Sequence, residues 1–229
     1  MVSRSTLSYE AIPLPDRTSL SESEMMIAAQ AYYKKMLGRH SVRDFSDKPV
    51  PREIIETCIK TAGTAPSGAN HQPWHFVAIQ DADKKRQIRL AAEEEERAFY
   101  AGGGGDEWIK ALEPIGTGPE KPHLEIAPWL IVIFAQRYGE FDDGTRYKNY
   151  YVNESVGIAT GFLLSALHQA GLVSLTHTPN PMKFLNGLLD RPSSEKPVMI
   201  IPVGFPSDDA TVPAVAKIKK PLSKILSVF

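Results

Sequence analysis

Between residues 51 and 80 the hydrophobic period changes from helical to alternating, and this change limits what the chain can fold into. Ile54, Ile55, Cys58, Ile59 and Ala62 recur at helical spacing after Pro51, a favoured first-turn proline. Trp74-His75-Phe76-Val77-Ala78-Ile79-Gln80 reads as a strand. Between them lies Thr64-Ala65-Pro66-Ser67-Gly68-Ala69, a turn of small residues. A helix feeding a strand through such a turn implies a mixed α+β chain. Small residues also let backbone N–H groups approach a flat ligand closely.

The rest of the 229-residue chain repeats this interleaving. Ser21 and Glu24 form a capping-box pattern, and the helix that follows is expected to carry Met25, Met26, Ala29, Tyr33, Met36 and Leu37 toward a core before stopping at Gly38. A charged helix is expected at about 83–100. An irregular stretch at 101–125, with four consecutive glycines at 102–105 and three prolines, has the length and composition of a binding loop or lid. Residues 128–135 read as a buried strand, and 172–178 and 198–203 as further strands. Residues 149–170 are apolar almost all round, with Gly157 and Gly161 one turn apart, which places that helix at the centre of a core or at a dimer interface. The expected organisation is an N-terminal arm at 1–20 and a single α+β domain at 21–229, with an active-site lid at about 90–122.

Composition excludes several classes. The formal net charge is −1, so no global basic field exists to hold nucleic acid or an anionic membrane surface. The one cysteine, Cys58, allows no internal disulfide and falls among core positions, where inert packing is its expected role. The first twenty residues lack a signal-peptide apolar core, and the longest apolar run, 129–135, is too short to span a bilayer. A soluble, cytoplasmic protein is expected. His71 and His75 are four apart, but Pro73 and the strand context argue against a metal site, and none is predicted. There is no Walker motif, no Gly-x-Gly-x-x-Gly after a strand and no Gly-x-Ser-x-Gly elbow.

Two segments carry ligand chemistry. Arg39-His40-Ser41-Val42-Arg43 places two arginines four apart, on one face if helical, where they can clamp one phosphate. With the turn at 66–69, this suggests a flavin mononucleotide (FMN) site. Glu93-Glu94-Glu95-Glu96 is expected to be a solvated face for three of its members. Glu96 differs because Tyr100 follows one turn later, and a carboxylate beside a phenol can bind an ammonium group. Thr176-His177-Thr178, before Pro179, ends a strand with two hydroxyls that either close turns or meet a ligand.

In order along the chain, these motifs resemble those of the nitroreductase-type flavoproteins. Gln72-Pro73-Trp74, Ile126-Ala127-Pro128, Asn149-Tyr150-Tyr151, Glu154-Ser155, Ala170-Gly171-Leu172, Pro202-Val203-Gly204 and Val212-Pro213 extend the likeness from about residue 25 to the C-terminus. Within that family the pattern is similar to the iodotyrosine deiodinase subgroup, in a soluble bacterial form. The resemblance implies a nitroreductase-like fold with a central mixed sheet flanked by helices. It also implies an intertwined homodimer with FMN at the subunit interface.

Carried over by position, the resemblance implies that Arg39, His40, Ser41 and Arg43 hold the phosphate and ribityl end of FMN, completed by a C-terminal basic residue, Lys217 or Lys219. Pro66, Ser67, Gly68, Thr176, His177 and Thr178 contact the flavin, with the Thr178 hydroxyl beside N5 as the catalytic group. His40 and the C-terminal lysine stand where relatives commonly have arginine. The substrate is a halotyrosine zwitterion: Glu96 accepts its ammonium, Tyr100 and Lys121 bind its carboxylate, and the Ala69 N–H binds its phenolate. The glycines at 102–105 replace a stretch of longer side chains and raise the ordering cost of the lid. The implied reaction is FMN-dependent reductive dehalogenation, with electrons derived from NAD(P)H. Two rivals remain at this stage: a general nitroreductase or quinone reductase, and a flavin-loaded protein that binds an aromatic amino acid without turnover.

Overall fold

A computed structural model describes residues 8–16, 18–141 and 143–229. Residues 1–7 and 17 of the expected arm lie outside the described residues. The elements run α1 (Glu22–Leu37), α2 (Arg52–Gly63), β1 (Trp74–Ile79), α3 (Ala82–Ala98), α4 (Asp106–Leu112), α5 (His123–Ile126), β2 (Trp129–Gln136), β3 (Tyr138–Glu140), β4 (Arg146–Lys148), α6 (Val152–Gln169), β5 (Val173–Ser174), α7 (Phe184–Leu188) and β6 (Glu195–Gly204).

The core is organised by β2, whose sequence Trp-Leu-Ile-Val-Ile-Phe-Ala-Gln is buried in seven of its eight residues. It lies between β1 and β6 in a four-stranded sheet of order β1-β2-β6-β5. Successive side chains of a strand point to opposite faces. Trp129, Ile131, Ile133 and Ala135 accordingly pack with Ile55, Cys58 and Ala62 of α2 and Val156, Leu163 and Leu167 of α6. Leu130, Val132 and Phe134 pack with Ile88 and Ala92 of α3, Leu124 of α5 and Leu185 of α7. The result is an α+β sandwich with helices on both faces of the sheet. All three strand pairings are antiparallel, and the mixed character expected of the sheet is confined to a parallel bridge between Ser41 and Ser174.

Several expectations are corrected. The capping box of α1 forms, but none of its residues is buried, and Met25, Met26, Tyr33 and Leu37 are exposed rather than turned into a core. In this chain α1 meets α6 through polar contacts: Tyr32 Oη to Ser165 Oγ at 2.9 Å, and His168 Nε2 to the Lys35 carbonyl at 2.9 Å. The segment at 101–125 is largely helical, because α4 and α5 lie within it. The strand expected at 172–178 is reduced to Val173–Ser174, with a second bridge between His177 and Ile200. The β3–β4 hairpin was not anticipated.

Candidate functional site

The Arg39–Arg43 stretch is not helical. Its backbone is drawn into pairing by the Ser41–Ser174 bridge, with Val42 N–H donating to the Ser174 carbonyl at 3.2 Å. This pairing sets the segment beside β5, whose continuation carries Thr176, His177 and Thr178. Arg43, Thr176, His177 and Thr178 line one cavity with Glu95, Glu96, Phe99, Tyr100, Trp108, Leu112, Thr117, Lys121 and Asn180. The cavity holds about 200 Å³. Seven of the sequence-predicted site residues therefore meet in one place.

The charged groups in the cavity answer one another. Lys121, almost fully buried, holds its Nζ 3.1 Å from Glu96 Oε2 and donates to Thr117 Oγ1 at 3.2 Å and to the Gly118 carbonyl. Tyr100 Oη donates to the Thr117 carbonyl at 2.9 Å, and Lys121 Nζ lies 5.8 Å from the Tyr100 ring centroid. Burial raises the Tyr100 phenol pKa, partly opposed by its bond to Thr117. Burial lowers the pKa of the half-buried Arg43, against the pull of Tyr100 and Asp44.

Glu93 is not part of a solvated face. It is buried, accepts the Lys121 backbone N–H at 2.8 Å and pairs with Arg89 at 3.0 Å. Arg89 also reaches Glu125 at 2.6 Å, so α3 is tied to both ends of the segment that carries Lys121 and α5.

The glycines between α3 and α4 close a π-helical turn over Phe99–Gly103, with the Gly104 N–H donating to the Phe99 carbonyl at 2.9 Å. Gly102 and Gly105 have φ of 120° and 73°, which L side chains rarely adopt. A Cβ on Gly104 would stand 2.4 Å from the Phe99 ring, whose edge meets Trp108 at 5.1 Å between centroids. A Cβ on Gly103 would stand 2.8 Å from the Ala98 carbonyl oxygen, so all four glycines are constrained by the turn that places Phe99 and Trp108 at the cavity.

His177 and His123 lie behind Glu96. Both are buried, their rings meet edge to face at 5.9 Å, and neither Nε2 has a hydrogen-bond partner among the described residues. Burial lowers the His123 pKa to about 4, helped by Lys121 and Arg43. Burial lowers that of His177 to about 3, helped by His123, Lys121 and Arg43. His123 and Glu93 were not identified from the sequence; their only signal was proximity in the chain to Lys121 and Glu96.

The other predicted residues lie apart from the cavity. Arg39, His40, Lys217 and Lys219 share a basic neighbourhood. Burial lowers the His40 pKa, and Lys219, Arg39, Lys217 and His168 add to the effect. No carboxylate enters that balance, so the group is suited to a phosphate. Lys219 Nζ itself donates to the Ala216 carbonyl at 2.6 Å.

Pro66, Ser67, Gly68 and Ala69 do not line the cavity. Their turn packs near α6: the Gly68 N–H donates to Ser155 Oγ at 3.4 Å, and a Cβ on Gly68 would stand 2.6 Å from the Tyr150 carbonyl oxygen. Ser67 Oγ accepts the Gln72 N–H at 2.9 Å, and Ala69, Asn70 and Gln72 all have φ near 50°. Such clustered left-handed residues are held only where surrounding structure fixes them, commonly at ligand sites. His71 is tied to Asn149 Oδ1 at 3.0 Å.

A basic segment pairs with a strand that ends in two hydroxyls, a Gly-dependent turn precedes the edge strand, and residues 36–205 match the model of the nitroreductase family. The chain belongs to the nitroreductase family. It is 52% identical over 190 residues to the iodotyrosine deiodinase of Haliscomenobacter hydrossis, covering 83% of this chain and 86% of that protein. It is 45% identical over 207 residues to the iodotyrosine deiodinase of Nematostella vectensis, covering 90% and 78%. Among solved nitroreductase-family structures, oxidized iodotyrosine deiodinase bound to FMN and 3-iodo-L-tyrosine superposes with a TM-score of 0.68 at 33% identity, covering 83% of this chain and 94% of that one. No helix among the described residues is long and apolar enough to cross a membrane.

Proposed function

We propose that this chain is an FMN-dependent oxidoreductase that dehalogenates halotyrosines reductively, converting iodotyrosine to tyrosine and iodide. The observation that carries this reading is the convergence of Glu96, Tyr100 and Lys121 in one cavity beside Arg43 and Thr178. An anion, a phenol and a cation within contact of one another form a recognition set for a zwitterion. A nitroarene or quinone needs no such set. The relatives and the superposed structure support the same substrate class.

FMN, when bound, supplies the electrons for reduction of the carbon–halogen bond. Arg39, His40 and Lys219 would take its phosphate, with Ser41 and Arg43 beside it and Thr176 and Thr178 presenting exposed hydroxyls. Thr178 is the candidate catalytic hydroxyl at the flavin edge. Glu96 takes the substrate ammonium in place of Lys121, which turns with Tyr100 to the substrate carboxylate. Both groups stand on or beside residues 90–122, so this exchange makes that segment a lid that orders over the amino-acid end of the substrate. Its hinges are fixed by Glu93 at Lys121 and by the glycine turn after Tyr100.

The working unit is a homodimer. Within one chain, α1, the outer face of α6 and the C-terminal residues Ile218, Leu222, Ile225 and Phe229 leave large apolar side chains exposed. A groove of about 840 Å³ lies between α1, α2 and α6, lined by Tyr32, Ile54, Cys58 and Phe162 among others. Contiguous apolar surface on this scale marks an association site. A partner covering it also brings a second turn at 66–69, which would supply Ser67, Gly68 and the Ala69 N–H that the chain's own cavity lacks.

Purified protein should be yellow, with one FMN per chain. Reduced anaerobically with dithionite and mixed with 3-iodotyrosine, it should yield iodide and tyrosine in equal amounts. Nitroarene reduction without iodide would assign the chain to the general reductases. Tight iodotyrosine binding without product would make it a binding protein.

A further inference from the structure

The cavity leaves one polar atom unexplained by the zwitterion set. His177 Nε2 is buried, has no hydrogen-bond partner among the described residues and stands 3.9 Å from Glu96 Oε1, a little beyond hydrogen-bond distance. The His177 side chain is only 8% exposed. Its backbone is fixed on both sides, with the N–H donating to the Ile200 carbonyl and the carbonyl accepting from the Ile200 N–H, each at 2.9 Å. The ring is further confined by His123 at its edge. The charged and titratable groups around it are Glu96 from α3, Tyr100 after it, Lys121 and His123 from the following segment, and Arg43.

The surroundings favour one tautomer of His177. A neutral imidazole carries its proton on one nitrogen. With the proton on Nδ1, the buried Nε2 lone pair would stand against a carboxylate oxygen. With the proton on Nε2, an N–H faces it. Lys121 engages Oε2, so Oε1 is the oxygen free to accept.

We propose that His177 is a positioning residue for Glu96, its neutral Nε2–H closing the short gap to Oε1 so that the carboxylate stays aimed into the cavity when Lys121 turns away. A neutral donor fixes the direction of Glu96 without cancelling its charge. A lysine or arginine at 177 would compete with the incoming ammonium instead. The proposal rests on the zwitterion reading for its functional consequence but not for the His177–Glu96 contact.

Two measurements test it on the FMN-loaded protein. Long-range proton–nitrogen NMR should show His177 neutral at pH 7 with the proton on Nε2, and Glu96→Gln should shift that nitrogen. A proton on Nδ1, or an Nε2 resonance indifferent to Glu96→Gln, would overturn the contact. In steady state, His177→Leu should raise the KM for 3-iodotyrosine about tenfold while changing kcat less than threefold. His177→Gln, which keeps an amide N–H at similar reach, should recover most of that loss. A rise in KM matched by an equal fall in kcat in both variants, or flavin loss in both, would make His177 a packing residue and overturn the proposal. If the native protein does not bind 3-iodotyrosine, the zwitterion reading fails, and the NMR result still decides the contact.

Discussion

In the cavity beside α3, charge is matched inside the chain: Glu96 has Lys121 at 3.1 Å, Lys121 has Thr117 and Gly118, and Tyr100 has Thr117. On the outer face of α1 and α6, the reverse holds. Ile158 and Phe162 of α6 and Met26, Ile27 and Tyr33 of α1 are exposed, and the contacts between the two helices are mainly polar. Glu96, Lys121 and Tyr100 are paired within the cavity, so a ligand that takes these groups must offer matching charge. The outer face leaves large apolar side chains exposed, the kind of surface that the proposed second chain would cover. On the proposed reading, one region selects a substrate and the other a second chain.

The largest expected effect breaks the outer face. Phe162→Glu places a carboxylate where the partner would bury a ring. An unpaired buried charge costs about 3–5 kcal/mol, and a two-fold interface would contain it twice. Sedimentation should show a monomer that has lost its FMN. A flavin-loaded dimer from this variant would separate the apolar face from assembly.

The next expected effect tests how the cavity wall is held. Glu93→Gln keeps the side-chain size but removes the charge that receives the Lys121 N–H and Arg89. A hydrogen bond from a buried charged partner is worth about 1–3 kcal/mol, and denaturant unfolding should show a loss in that range. Hydrogen exchange at Lys121 should rise with it. An unchanged midpoint would return Glu93 to the solvated face that its acidic neighbours suggest.

The smallest expected effect comes from pH. His123 and His177 have folded pKa values lowered to about 4 and about 3, below the ordinary value of 6.5. Between those values and 6.5 the unfolded chain binds more protons than the folded one, so stability is fully present above pH 6.5 and is lost as pH falls. From pH 6.5 to 5.5 the loss should be about 1 kcal/mol for each histidine. His177→Leu should flatten the slope measured by urea titration. A slope unchanged in that variant would mean His177 charges without penalty.

The layers of the fold were legible in the sequence because they rest on long periodic runs. The stripe of α2 and the unbroken apolar β2 bury what their patterns promise, and α6 buries one face, with Val156, Leu163 and Leu167 in the core and Ile158 and Phe162 left exposed. The destination of α1 was not legible. Its apolar residues have helical spacing, but spacing does not say whether the face meets its own core or another chain. The β3–β4 hairpin escaped because Tyr-Gly-Glu and Arg-Tyr-Lys are short and carry no apolar alternation.

At the site, Glu96, Tyr100 and Lys121 were legible by likeness, and the cavity brings them together. Glu93 was misread because what buries it, the Lys121 N–H, lies 28 residues away. His123 and His177 are 54 positions apart and meet only through the sheet and α5.

The most direct test of the zwitterion clamp is made within a single variant. Glu96→Gln removes the charge that faces an ammonium while keeping the side chain's size and leaving the flavin contacts untouched. Losing the partner of a desolvated charge costs about 2–5 kcal/mol. Halotyrosine binding should weaken tens-fold or more, while a simple iodophenol and a nitroarene, which carry no ammonium, should be little affected. Equal losses for halotyrosine and nitroarene, or no loss for either, would contradict the assignment of Glu96 and with it the halotyrosine substrate.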